Sequence, residues 1–170
     1  NAVHNLETVF SNNSIRSFEK AANIILSSKR KYIAASRGNT CLCDYFSLYL
    51  KQMVPHVVMT NTTSLTPVDH MCNIGKDDCL ILFSFPRYSS IDKVTAEIAQ
   101  EAGAQIIIIT DKPSSDLAAF ATLLFTVPVD SDAFFNSMVA VQFVAEAILD
   151  TISQHAKGVE KRLKKIDQYL

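Results

Sequence analysis

The sequence predicts an α/β domain built in three layers, with helices on both faces of a five-stranded parallel sheet. Five short apolar runs alternate along the chain with segments whose apolar residues recur at helical spacing. Two of these runs, residues 79–83 and 105–109, are apolar at nearly every position, which is typical of strands buried on both faces of a parallel sheet. No internal repeat or linker interrupts the alternation, so we expect one domain over residues 1–170.

The N-terminal part of the chain, about residues 3–28, predicts two helices. A polar break at residues 12–14 separates them, and Asn13 or Ser14 is a candidate cap for the second helix. The core, about residues 31–152, begins with a strand over residues 31–36. A helix follows, and the apolar residues expected on its inner face are Leu42, Tyr45, Phe46, Tyr49 and Met53.

The rest of the core keeps the same alternation. Further strands are predicted at residues 56–59, 79–83, 105–109 and 123–127. A polar run that includes Thr62 and Thr63 leads to a short helical piece near Met71. A further helix is predicted at residues 114–121. In the helix after residues 79–83, the residues expected to face the core are Ile91, Val94, Ile98 and Ala102.

Residues 134–152 predict a long helix with one narrow polar stripe, formed by Gln142, Glu146 and Asp150. The rest of its surface is apolar and larger than one face of a sheet usually covers. We therefore expect a subunit interface in a homodimer or tetramer. Its uninterrupted apolar runs are far shorter than the ~18 residues of a membrane span, so we expect no membrane partner. The C-terminal segment, about residues 157–170, predicts a basic amphipathic helix that either docks on the domain or contacts nucleic acid or lipid.

Composition and charge limit the classes of partner. Hydrophobic residues make up 48% of the chain and charged residues 19%, which fits a globular domain. Lysine and arginine number 16 against 17 acidic residues, whereas DNA binding through phosphate contacts usually requires a basic excess. The four cysteines form no C-x-x-C pair, which predicts free thiols in the cytoplasm. No dinucleotide or P-loop motif follows the first strand, and no cofactor is expected.

Two polar loops follow the first and third predicted strands, at the sheet edge where open α/β domains bind ligands. Their candidate binding residues are Ser36, Arg37, Gly38, Asn39 and Thr40 in the first loop and Ser84, Arg87, Tyr88, Ser89 and Ser90 in the second. Hydroxyls, guanidinium groups and two helix N-termini around one point suit a phosphate monoester. The alternative for the serines is helix capping. The single glycine of the first loop indicates a positive φ, a close approach of ligand to backbone, or an ordinary turn.

Four stretches of the chain carry a family resemblance. They are S-R-G-N-T, D-D-C-L-I-L-F-S-F-P-R-Y-S, G-A-Q-I-I-I-I-T-D and S-S-D-L-A. Over about residues 15–152 the chain resembles the sugar isomerase (SIS) domain, and more narrowly the effector domain of RpiR-type bacterial transcriptional regulators. The resemblance implies a flavodoxin-like strand order of 2-1-3-4-5, dimerisation through helices including the long one at residues 134–152, and a phosphosugar bound between the two loops. It also implies an N-terminal helix-turn-helix DNA-binding domain, absent from this chain.

The resemblance also assigns roles to single positions. The residues that match the family's loop hydroxyls, two of them phosphate contacts, are Thr40, Ser84 and Ser89. The chain has Ser36 where the first loop of the family usually opens with glycine. It has Pro86 and Arg87 where the second loop usually has serine-glycine. Loss of a glycine narrows the approach of a phosphate to the backbone, whereas an arginine supplies a charged contact of its own.

We interpret the chain as a ligand-sensing domain that binds a phosphorylated sugar and controls DNA binding by the absent domain, with no catalytic residue. One alternative is a phosphosugar isomerase, which needs a base close to its substrate. The candidates for that base are His70, Glu97, Glu101 and Glu146. The other alternative is a dimerisation module with a vestigial pocket, which the two lost glycines suggest. A metal site drawn from Cys41, Cys43, His70 and Cys72 lacks the usual zinc spacing, and no metal is expected.

Overall fold

The structure is a computed structural model that describes residues 1–61 and 64–170. Thr62 and Thr63 of the predicted polar run lie outside the described residues. The strands are Lys31–Ala35 (β1), Val57–Met59 (β2), Cys79–Phe83 (β3), Gln105–Thr110 (β4) and Leu123–Thr126 (β5). The helices are Ala2–Asn12 (α1), Ile15–Ser27 (α2), Thr40–Met53 (α3), Pro67–Met71 (α4), Ser90–Glu101 (α5), Val139–His155 (α6) and Val159–Asp167 (α7).

The five strands form one parallel sheet in the order β2-β1-β3-β4-β5. Alternate side chains of the central strands enter two separate cores, as the pleat of a strand requires. Ile81 and Ile107 pack under α1, α2, α3 and α6. Leu80 and Ile108 pack under α4 and α5 on the other face. The predicted three-layer fold and strand order are therefore confirmed.

The N-terminal helices are joined to the outer edge of the sheet. The Ser14 hydroxyl accepts a hydrogen bond from the Ser17 amide at 3.3 Å and caps α2, as predicted. The neighbouring Asn13 side chain donates to the Thr126 carbonyl oxygen at 2.8 Å and accepts from the Thr126 amide at 3.0 Å. An amide side chain thus takes the place of a sixth strand at the exposed edge of β5.

Two predicted helices are wrong in extent. Residues 114–121 contain only a turn of 3₁₀ helix at Ala118–Phe120, because this short connection closes through tight hydrogen bonds such as that from the Ser115 amide to the Lys112 carbonyl oxygen. The long helix begins at Val139 rather than at residue 134. The residues before Val139 instead bond to distant loops, which the local apolar pattern does not reveal.

Two predicted inner faces also differ from the structure. On α3, Tyr49 is 41% exposed. The helix buries Cys43 and Leu50 in addition to the predicted Leu42, Phe46 and Met53. On α5, Val94 is 38% exposed, whereas the buried positions are Asp92, Thr95, Ala96 and Ala99. Small side chains let α5 approach the sheet closely, and a hydrogen-bonded carboxylate completes this face in place of a large apolar residue.

The C-terminal helix α7 lies against α3. Val159 is partly buried, and the Arg162 guanidinium donates to the Met53 carbonyl oxygen at 2.8 Å. Among residues 1–61 and 64–170, no helix has the length and apolar character needed to cross a membrane. The described part of the chain also holds no group of three or more His, Cys, Asp or Glu side chains placed to bind a metal ion.

Candidate functional site

The two predicted loops meet at the carboxyl ends of the two central strands. β1 and β3 are hydrogen-bonded neighbours in which Ala35 lies opposite Phe83. Ser36 and Ser84, the residues that follow this pair, therefore begin the two loops side by side. This edge is where strand connections diverge to opposite faces of the sheet, and ligands of open α/β domains bind there.

Ser36 and Ser84 are buried, and both hydroxyls are used by the protein itself. The Ser84 hydroxyl donates to one carboxylate oxygen of Asp92 at 2.6 Å, and the Ser36 hydroxyl donates to the other. Ser84 is 0% exposed, Ser36 7% and Asp92 2%. The sequence predicted an anion at this point, and the structure supplies one from the first turn of α5.

The two arginines of the loops share an unusual backbone conformation. Arg37 has φ of 57° and Arg87 has φ of 70°, both in the left-handed region that non-glycine residues seldom adopt. The positive φ considered for Gly38 thus lies one residue earlier, at Arg37. Gly38 has open space around the position of a Cβ atom, so no close packing explains its lack of a side chain.

A cleft of about 410 Å³, here called the arginine cleft, lies between the two loops. Its lining residues are Arg37, Gly38 and Asn39 from the first loop, Pro86 and Arg87 from the second, and Phe135, Asn136 and Met138 from the β5–α6 connection. The volume falls in the range of roughly 300–1,000 Å³ that is usual for small-molecule sites. Two guanidinium groups and no acidic side chain occur among these residues, so the cleft favours an anionic ligand.

The β5–α6 connection is held over the second loop by two hydrogen bonds. The Arg87 guanidinium donates to the Phe134 carbonyl oxygen at 3.1 Å. The Asn136 side-chain amide donates to the Pro86 carbonyl oxygen at 3.2 Å. These bonds bring Phe135 and Met138 to the arginine cleft, where they form an apolar wall beside the charged groups.

The remaining predicted residues are divided between two places. The Thr40 hydroxyl donates to the Arg37 carbonyl oxygen at 2.9 Å and does not line the arginine cleft. Tyr88, Ser89 and Ser90 line a second cleft of about 330 Å³ together with Lys93, Lys112 and the loop after β4. The Tyr88 hydroxyl bonds to the Asp111 carboxylate, and burial together with this carboxylate raises the pKa of Tyr88 above its ordinary value.

The sequence reasoning missed Asp92 and the three residues of the β5–α6 connection. Asp92 was not among the candidate residues, although an acidic residue in a first helical turn is itself a recognisable signal. The polar pair Asn136 and Ser137 interrupts an apolar stretch and lies just before the true start of the helix at Val139. Nothing in the local pattern, however, indicates that this loop covers residues 50 positions earlier.

The comparisons with known proteins agree with this architecture. Among curated proteins no significant match is found. The sugar isomerase domain of an RpiR transcription factor from Sphaerobacter thermophilus superposes with a TM-score of 0.91 at 17% identity, covering 98% of this chain and 94% of that one. At such identity the likeness establishes the fold alone.

Two further solved structures share this fold. The NanR protein of Vibrio vulnificus, solved in complex with ManNAc-6P, has a TM-score of 0.82 at 12% identity, covering 99% of this chain and 66% of that one. A phosphoheptose isomerase from Francisella tularensis has a TM-score of 0.73 at 14% identity, covering 90% and 92%.

The family is shown by the sequence as well as by the fold. The SIS domain family matches residues 24–150, which include all five strands and both loops of the arginine cleft. The chain belongs to the SIS domain family.

Proposed function

We propose that this chain is the ligand-sensing domain of a transcriptional regulator and that a phosphorylated sugar binds in the arginine cleft. The observation that carries the proposal is the pair of left-handed arginines, Arg37 and Arg87, on adjacent loops that line one cleft. An arginine contacts phosphate through two parallel hydrogen bonds, and two arginines neutralise its charge of about −2.

The backbone of both arginines supports a binding role. A left-handed conformation costs a non-glycine residue about 1–2 kcal/mol. Such strain concentrates at ligand-binding loops, where the surrounding structure holds it in place. The family pattern has glycine at the position of Arg87, so this chain accepts the strain there and gains a guanidinium at the cleft.

The wider assignment rests on the neighbours and on the thiols. One structural neighbour is the sugar isomerase domain of an RpiR transcription factor, which supports regulation through a separate DNA-binding domain. We propose that the regulator is a homodimer or tetramer and that it is located in the cytoplasm. Cys79 is a buried free thiol, and free thiols are typical of proteins in a reducing compartment.

The isomerase alternative lacks a placed base. No Glu or His lines the arginine cleft among the residues that the structure describes. Glu146 accepts hydrogen bonds from Tyr45 at 3.0 Å and Gln142 at 2.9 Å, between α3 and α6. Turnover of a phosphosugar that stops in Glu97→Gln or Glu146→Gln would contradict the sensor assignment.

Binding is tested first by calorimetry and thermal shift, with a panel of sugar phosphates, the matching free sugars and inorganic phosphate. A selective ligand at 100 times its dissociation constant should stabilise the native state by about 2.7 kcal/mol. We expect Arg37→Ala and Arg87→Ala to weaken binding at least tenfold. Arg16→Ala, an exposed arginine of α2 that lines neither cleft, is the matched control and should bind as the parent does.

The outcomes separate the hypotheses. Binding of one phosphosugar, lost in both cleft variants, would support the sensor and contradict a vestigial pocket. If no member of the panel binds, the proposed ligand class is refuted. Sensing requires two arrangements of the oligomer with different ligand affinity. Identical small-angle scattering with and without a bound ligand, together with unchanged DNA affinity of the complete regulator, would refute the regulatory part.

A further inference from the structure

We propose that Asp92 is a positioning and specificity residue: its carboxylate acts as a built-in anion between the two loops and directs the phosphate of the ligand to Arg37 and Arg87. The inference rests on the proposed function, because it concerns where in that site the ligand's charge is recognised. It reassigns Ser36 and Ser84 from ligand contacts to partners of Asp92.

The geometry joins three elements at one buried point. Asp92 belongs to the first turn of α5, Ser36 follows β1 and Ser84 follows β3. Each carboxylate oxygen accepts one serine hydroxyl, with the Ser84 bond at 2.6 Å. All three residues are more than nine-tenths buried. The carboxylate therefore fastens the two loops to each other and to the start of the helix.

The hydrogen bonds to Asp92 limit what the hydroxyls of Ser36 and Ser84 can donate to a ligand. A serine hydroxyl has one proton to donate. While Ser36 and Ser84 donate to Asp92, neither can donate to a phosphate. The family pattern uses a hydroxyl at the position of Ser84 as a phosphate contact, so in this chain that contact is already taken.

The negative charge of Asp92 also disfavours a phosphate at this point. No basic side chain lies within ion-pair distance of Asp92 in the described part of the chain, so its negative charge is stabilised by hydroxyls and by the N-terminal dipole of α5. A phosphate placed beside it would meet a like charge at a site whose donors are occupied. The guanidinium groups of Arg37 and Arg87 line the arginine cleft and offer the phosphate positively charged donors there.

The first test measures ligand contacts by calorimetry on the whole chain. For the phosphosugar that binds the parent best, Ser84→Ala should change the dissociation constant by less than about twofold, whereas Arg87→Ala should raise it at least tenfold. A loss in Ser84→Ala as large as that in Arg87→Ala would overturn the inference, because the hydroxyl would then contact the ligand.

The second test uses inorganic phosphate and asks what Asp92 excludes. Asp92→Ser removes the charge and leaves room between the loops, whereas Asp92→Asn removes the charge and keeps the volume. We expect Asp92→Ser to bind phosphate at least tenfold more tightly than the parent and more tightly than Asp92→Asn. A folded Asp92→Ser protein with no gain would overturn the proposal even if the parent binds a phosphosugar.

The third test needs no ligand and therefore stands if the proposed function fails. Melting temperatures of Ser84→Ala, Asp92→Ala and the double variant form a cycle that reports the Ser84–Asp92 bond. We expect the double variant to melt within about 1 °C of the less stable single variant, because the bond is already broken in each. Fully additive losses would show that the two side chains are not coupled and would overturn the inference.

Discussion

Replacing Asp78 with alanine should destabilise the domain strongly, at the sheet edge opposite the arginine cleft. One carboxylate oxygen of Asp78 accepts from the Arg30 amide at 3.0 Å and from its Nε at 3.2 Å. The other accepts from Arg30 Nη2 at 2.9 Å and from the Gly75 amide at 2.8 Å. The side chain is buried, so alanine removes the acceptor of four hydrogen bonds at once.

The magnitude follows from the environment of the two partners. Loss of one member of a buried ion pair costs about 3–5 kcal/mol. The Arg30 side chain is 33% exposed, so water solvates part of the charge that is left behind. We therefore expect a loss of about 2–4 kcal/mol in the free energy of unfolding. For a chain of this length that corresponds to a fall of about 10 °C in melting temperature.

The loss should depend on pH. Burial opposes ionisation of Asp78, but the hydrogen bonds from Arg30 and Gly75 outweigh it and hold the pKa below its ordinary value. A depressed pKa in the folded state adds stability above the unfolded pKa of about 3.9. That stability is lost as the pH falls through the folded value. The difference in the free energy of unfolding between the parent and Asp78→Ala should be constant above about pH 5 and shrink below about pH 4.

Urea denaturation from pH 3 to pH 7 measures this gap. Asp77→Ala is the matched control, since Asp77 is the exposed neighbour and its removal should change the free energy of unfolding by less than about 0.5 kcal/mol. Equal stability of the two variants at pH 7 would contradict a stabilising role for the Arg30–Asp78 pair. A difference between parent and Asp78→Ala that is as large at pH 3 as at pH 7 would contradict it as well.

Three further predictions concern stability by the same assay. Arg87→Gly should be more stable than Arg87→Ala by about 0.5–1 kcal/mol, because only glycine relieves the left-handed strain, and equal values would contradict that strain. Asn13→Ala should cost about 2 kcal/mol by exposing the edge of β5 without its partner. The exposed Asn12→Ala is its control, and a similar loss there would count against the edge bonds. Gly103→Ala should cost about 1–2 kcal/mol because φ is 72° there, whereas Gly38→Ala, with open space around it, should be neutral or slightly stabilising.

Patterns along the chain predict the layers, the strand positions and the two polar loops that line the arginine cleft. Residues 79–83 and 106–109 are apolar throughout because both faces of a central parallel strand are buried, and that pattern can be recognised without a structure. The residues that follow these strands are polar because they leave the sheet at its carboxyl edge, where the loops begin. Local composition therefore identified both loops, and with them Arg37 and Arg87.

Which of those polar groups remain available to a ligand depends on the folded structure. The sequence does not distinguish a serine hydroxyl that contacts a ligand from one that caps a helix or bonds to a carboxylate. The hydrogen-bond partner of Ser36 is Asp92, which lies 56 residues away. The left-handed backbone of Arg37 and Arg87 and the cover provided by Phe135 likewise come from packing between distant segments. Hydrogen-bond partners and backbone strain depend on three-dimensional neighbours, and periodicity along the chain carries information about burial but not about these pairings.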